Sequence, residues 1–252
     1  MARVNGYNSY FYTIGTATLA KRCRGRRLWQ AYAFICRDCP APYKKITEVM
    51  MRRVILASGS PRRKELLTLM GVPFEAITSD FSEYLDDGRP VADIAIELAQ
   101  GKAKVIADQY PDAVVIGSDT IVTVGTRQYG KPADETEARL MLYAQAGQKT
   151  TVTTSIVLRC AASGQEFTAA PQCTVVFKRR NDRAIATYLA TGDWHDKAAA
   201  WGIQSGAAPL IDHIEGDYST IIGLPVPQLA VFLLELGIVT QPVVLECPVP
   251  QR

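Results

Sequence analysis

From Val54 onward, short runs of β-branched and apolar residues alternate with stretches whose apolar positions recur at helical spacing. That alternation specifies an α/β fold, because each strand must hide a face against the helices beside it. "VILA" (54–57) reads as a buried strand. "PRRKELLTLM" (61–70) reads as the helix after it, with Ser60 as N-cap, Pro61 at the first helical position and Gly71 as C-cap. "VADIAIELAQGKAKVIADQY" (91–110) predicts a second helix that turns Ile94, Leu98 and Val105 inward. "AVVIGSDTIVTV" (113–124) predicts an apolar strand interrupted by a polar triplet. Helices are expected over 135–147, 181–192 and 227–237, and strands over 150–161 and 172–180, where Thr and Val are dense. No stretch reaches the roughly 18 apolar residues that a membrane span needs.

The two ends read differently. Residues 1–50 hold nine Lys/Arg against two Asp/Glu, whereas the remainder holds nineteen against twenty-three, so the basic character belongs to the N-terminal segment. There "KRCRGRR" follows the apolar "YFYTIGTATLA", the reverse of a secretory signal, and Asp38, Glu48 and a CxxC argue against an Arg-rich targeting peptide. The expectation is an extension over 1–50 outside the catalytic fold, a folded domain over 51–238, and a loose tail over 239–252 with three prolines. Cys36 and Cys39 form a CxxC, the spacing of one half of a zinc site, but no second CxxC or His pair follows to complete one, so no zinc site is expected. Cys160, Cys173 and Cys247 are scattered singly, as buried small hydrophobes are, which fits a reduced, cytoplasmic protein.

Four constellations carry chemistry. A strand, a Ser-Gly-Ser turn and a helix start precede Arg62, Arg63 and Lys64; basic side chains there oppose the helix dipole unless an anion is bound or water solvates them. In "IGSDTIV", Asp119 interrupts a run that is apolar on both sides, and a buried carboxylate must meet a cation, a metal or hydrogen-bond donors. In "YGKPADETEA" a Gly-Lys-Pro turn aims Lys131, and Asp134-x-x-Glu137 starts a helix. In "DKAAAWGIQSG" Gln204 lies in a Gly-rich loop, where its amide offers the donor and acceptor that suit a base edge.

Taken in order, "LASGSPRRKELL", Glu83, "LAQGKAK", "GSDTIV", "GKPADETEA", "DKAAAWGIQSG" and "IEGDYSTIIGLP" resemble the Maf family of nucleoside triphosphate pyrophosphatases over residues 53–237. The resemblance implies a mixed, twisted sheet with flanking helices, two lobes around a nucleotide cleft, and similarity to inosine triphosphate pyrophosphatases. It implies hydrolysis of a nucleoside triphosphate to monophosphate and pyrophosphate with a divalent cation, Mg²⁺ or Mn²⁺, and a homodimer. By position, Asp119 corresponds to the family's water-activating group. Ser58, Ser60, Arg62, Arg63, Lys102 and Lys131 correspond to its phosphate contacts, and Glu83, with Asp119, to its metal or water ligands. Arg62, Thr120 and Gln204 agree with the branch acting on dTTP and UTP at three positions that separate the family's substrate classes.

The chain departs from the family pattern at Ser82, Ser118, Ala146, Thr150, Ala199, Trp201 and Thr220. Ala199 stands where the family has Gly, and an alanine tolerates positive φ poorly. His195 and His213 match no catalytic demand and are expected at the surface. Three alternatives stay open: the same reaction on a modified purine such as 7-methyl-GTP, a non-catalytic nucleotide-binding regulator of cell division, and a nucleic-acid binder using the basic segment. The acidic balance of the body opposes the last.

Overall fold

The computed structural model describes residues 52–81, 88–204 and 206–239. The expectations for residues 1–50, for the CxxC, for Ser82 and Glu83, for Cys247 and for nearly all of the tail lie outside them. In chain order the elements are β1 (Val54–Leu56), α1 (Pro61–Leu69), β2 (Glu75–Ala76), α2 (Val91–Gln109), β3 (Val114–Val124), β4 (Arg127–Tyr129), α3 (Glu135–Gln145), β5 (Lys149–Cys160), β6 (Gln165–Ala169), β7 (Gln172–Phe177), α4 (Asp182–Leu189), β8 (Ile211–Glu215), α5 (Tyr218–Ile222) and α6 (Val226–Glu235), with 3-10 turns at Ala198–Ala200 and Ala208–Leu210. The mixed α/β class is as expected. The strands β2, β4, β6 and β8 are additions, each of five residues or fewer.

The sheet runs β2-β1-β3-β5-β7-β8, with β4 also on β3 and β6 also on β5. Its spine is the antiparallel pair β3–β5, in register from Val115 opposite Arg159 to Val124 opposite Thr150. On its other edge β3 pairs with β1 in parallel through Ile116, then with β4 from Val122 onward. On its other edge β5 pairs with β7 through Thr153, then with β6 from Ile156 onward. Ser118, Asp119 and Thr120 therefore lie where β3 changes partners, and Thr154 and Ser155 where β5 does.

Buried side chains gather on either side of that change. One apolar core joins β4, β7, α3 and α4 through Tyr129, Leu142, Val175, Phe177 and Ile185; another joins β1, α1, β6 and α6 through Leu56, Leu67, Leu158, Leu229 and Phe167. The β3–β5 pair contributes to both, through Val122 and Val152 in the first and Ile116 and Ile156 in the second.

Helix α2 lies on the sheet along a stripe of small residues, Ala95, Ala99, Ala103 and Ala107, all fully buried. Four-residue spacing puts them on one face, so helix and strand approach closely. A Cβ at Gly117 would stand 2.2 Å from the Ala99 carbonyl oxygen. Ile94 and Leu98 point inward as expected, whereas Val105 is half-buried and its neighbour Ile106 takes the core position.

The caps follow the sequence with two corrections. Asn181 accepts from Ala184 N, and Asp134 accepts from Glu137 N at 2.8 Å while the Glu137 carboxylate accepts from Ala133 N. Ser60 precedes α1 in extended backbone but makes no side-chain cap bond, and the C-cap is Met70, with Gly71 following at φ +69°.

Candidate active site

Ser118, Asp119 and Thr120 lie on β3 between its pairings with β1 and β4. The carboxylate of the buried Asp119 meets the cation that its burial demands: Lys102 Nζ stands 2.6 Å from Oδ1. The close seat of α2 brings that lysine to the strand, and Ser155 ties the layers by donating to the Ala95 carbonyl at 2.6 Å while accepting from Asp119 N at 3.2 Å. Phe81 packs on α2 where a Cβ at Gly101, beside Lys102, would lie 2.3 Å from its ring. Two ions taken from water together are costly to separate, which fixes the pair in place.

Arg63 forms the second centre. From the first turn of α1 its Nε donates to the Gly223 carbonyl at 2.7 Å, Nη1 to Ser58 Oγ at 3.2 Å and Nη2 to Thr120 Oγ1 at 3.2 Å. Ser58 Oγ also accepts from Ser60 N. Three segments, the turn after β1, the middle of β3 and the end of α5, thus converge on one guanidinium. Gly223 closes α5 at φ +110°, and a Cβ there would approach Thr120 Oγ1 to 3.2 Å and Arg63 Nε to 3.5 Å. Ser118 Oγ donates to the same Gly223 carbonyl at 3.0 Å. Thr120 Oγ1 lies 3.1 Å from Thr154 Oγ1, which donates to the Thr220 carbonyl at 2.7 Å.

The remaining sequence-expected residues are less tightly drawn in. Arg62 is half-buried at the start of α1. Lys131 and Gln204 are exposed and make no hydrogen bond or ion pair among the described residues, and Glu83 lies outside those residues. The Lys131 turn is nevertheless anchored: Ala199 N donates to the Gly130 carbonyl at 2.9 Å, and the buried Gln145 donates to the Ala199 carbonyl at 2.9 Å. Ala199 itself sits at φ +57°, the conformation expected to trouble an alanine there.

Lys197 was missed. It lies in the same loop, half-buried, and burial first and the positive charge of Arg62 second hold its ammonium below the ordinary lysine range. Two cations held near one another favour an anion between them. The signal was present in "DKAAAWGIQSG", where Gln204 drew the reading away from the lysine. Thr154 and Gly223 were also missed as site residues, since only the sheet register and the α5 turn bring them to Arg63. His195 and His213 are exposed as expected; His195 stacks on Trp194 at 3.6 Å, and hydrogen bonds to Asp212 and Glu215 raise the His213 imidazole above its usual range.

A buried aspartate–lysine pair, an arginine held at a helix start and further basic residues on adjoining loops suit a polyanionic substrate that must be attacked beside its charge. No group of three or more His, Cys, Asp or Glu among the described residues could hold a metal ion alone. One carboxylate is a donor set that Mg²⁺ accepts when substrate phosphates complete its shell, so Asp119 fits a metal delivered with a nucleotide. No helix among the described residues is long and apolar enough to cross a membrane.

A family model described as Maf-like protein matches residues 53–236. A dTTP/UTP pyrophosphatase of Bacillus cereus is 40% identical over 188 residues, covering 75% of this chain and 97% of the relative. A dTTP/UTP pyrophosphatase of Bacillus anthracis is 39% identical over the same length and shares. Among solved structures, a HAM1 protein from Coxiella burnetii aligns at a TM-score of 0.42 and 18% identity, covering 73% of this chain and 100% of that one.

Proposed function

Because the chain belongs to the Maf-like protein family, we propose that it is a nucleoside triphosphate pyrophosphatase, hydrolysing dTTP and UTP to the monophosphate and pyrophosphate. The observation that carries the reading is the Lys102–Asp119 pair beside the Arg63-bound start of α1, inside the segment that the family model matches.

The chemistry follows from those groups. The triphosphate lies along the basic side chains, with Arg62, Arg63, Lys102, Lys131 and the Ser58–Ser60 turn sharing its charge. A water oxygen bonds to the α-phosphorus as the bond from that phosphorus to its bridging oxygen breaks, and pyrophosphate leaves with the electron pair. The water's proton passes to Asp119. Lys102 engages Oδ1, leaving Oδ2 to face the water or the ion. Asp119 and, by its place in the sequence, Glu83 would hold Mg²⁺ or Mn²⁺; bound there, the ion neutralises phosphate charge and acidifies water.

Arg62, Thr120 and Gln204 are proposed to select the pyrimidine, since an amide pairs with a pyrimidine edge through one donor and one acceptor. We also propose a cytoplasmic homodimer with no nucleic-acid partner, in keeping with the free buried thiols of Cys160 and Cys173. The catalytic domain is proposed to span 51–238, so a chain begun at residue 51 retains activity.

The test is a panel of nucleoside triphosphates with Mg²⁺ or Mn²⁺, measuring monophosphate and pyrophosphate together. Equal release of both from UTP and dTTP supports the reading. Turnover of 7-methyl-GTP instead defeats the specificity, and binding without turnover of any nucleotide defeats the reaction.

A further inference from the structure

We propose that Thr154 is a positioning residue for Arg63, acting through the hydroxyl of Thr120. A hydroxyl has one proton to give. Thr154 Oγ1 gives its own to the Thr220 carbonyl at 2.7 Å, so in its 3.1 Å contact with Thr120 Oγ1 it is the acceptor. Thr120 therefore donates to Thr154 and accepts from Arg63 Nη2 at 3.2 Å. The order is fixed in one direction: guanidinium, Thr120, Thr154, Thr220 carbonyl. It links α1, β3, β5 and α5. Thr154 and Thr220 are fully buried, so water does not replace a missing member at that end.

This chain of hydroxyls assigns Thr120 a different task from reading a base. Its proton is committed to Thr154 and a lone pair to Arg63. Position 120 thus affects substrate binding by setting where the Arg63 guanidinium points. The Gly223 carbonyl and Ser58 hold two other edges of the same group. Thr154 lies where β5 has left β7 and not yet met β6, and its backbone N is held by the Pro171 carbonyl at 3.1 Å.

That the orientation of Arg63 governs substrate affinity rests on the proposed function; the orientation itself does not. The experiment therefore reads both, on the full chain. Thr154→Val keeps shape but removes the hydroxyl, and Thr154→Ser restores it; circular dichroism checks that each is folded. Side-chain NMR of the Arg63 guanidinium reports its rotation, and UTP kinetics with Mg²⁺ report KM and kcat separately. Expected are faster guanidinium rotation and a KM raised about tenfold in the valine variant, the loss of one hydrogen bond's worth of positioning, with both recovered in the serine variant. Unchanged Arg63 signals in the valine variant, or a serine variant as impaired as the valine one, overturn the proposal. If the wild type turns over no UTP while the Arg63 signals respond as expected, the proposed function fails and the positioning role stands.

Discussion

Lys102 Nζ and Asp119 Oδ1 meet at 2.6 Å with their side chains only 11% and 10% exposed, α2 supplying the cation and β3 the anion. The pair is at once a structural tie between two layers and the centre of the proposed chemistry. Removing one partner leaves a desolvated charge, which costs about 3–5 kcal/mol. Lys102→Met is therefore expected to lower the urea-unfolding free energy by that amount, and adding Asp119→Asn to recover part of it. A double variant less stable than Lys102→Met alone would show that the two residues do not act as a pair.

Gly223 is tested by its missing side chain. At φ +110°, with Thr120 Oγ1 and Arg63 Nε within 3.5 Å of any added Cβ, alanine is strained and pushes the guanidinium aside. Gly223→Ala is expected to cost about 1 kcal/mol or more in stability and to raise the KM for UTP. Wild-type kinetics in this variant would contradict the reading of Arg63 as a substrate contact.

Ala199 offers the reverse test. Its left-handed backbone costs about 1–2 kcal/mol, of which the flexibility of glycine in the unfolded chain returns about half. Ala199→Gly is expected to raise the melting temperature by about 2 °C, with the Gln145 and Gly130 bonds preserved. A lower melting temperature would mean that packing of the buried methyl outweighs the strain.

Cys173 carries a pH signature. Burial first, and the nearby Asp217 and Glu215 charges after it, push its thiol from 9.0 up to about 12. A folded pKa above the unfolded one contributes stability in full below pH 9, and that contribution is lost as the pH rises toward 12. Stability is expected to fall across this window, and Cys173 to resist alkylation at pH 8 until the chain unfolds. Alkylation of the folded protein at pH 8 would contradict the burial.

Much of the site was legible because it is local. A strand, a turn with two serines and a helix bearing Arg62 and Arg63 are read within a dozen residues, and a buried carboxylate at Asp119 announces the need for a cation. What the sequence could not supply was the partner. Lys102 reaches Asp119 only because the Ala95–Ala99–Ala103–Ala107 stripe and Gly117 let α2 lie close. Thr154 reaches Thr120 only through the β3–β5 register. The short strands β2, β4, β6 and β8 were hidden for a related reason: their stability comes from neighbours distant in sequence, not from their own composition. The Ala199 strain was readable only through the resemblance, which places glycine at that position, since an alanine by itself argues against positive φ.

The central claim is that Asp119 activates a water for attack on the α-phosphorus. It is tested most directly by turnover of UTP in ¹⁸O-enriched water, for the wild type and Asp119→Asn. Incorporation of ¹⁸O into the monophosphate is expected, with the rate lowered about 10²- to 10⁴-fold in the variant. Label in the pyrophosphate, or a variant as active as the wild type, would contradict it.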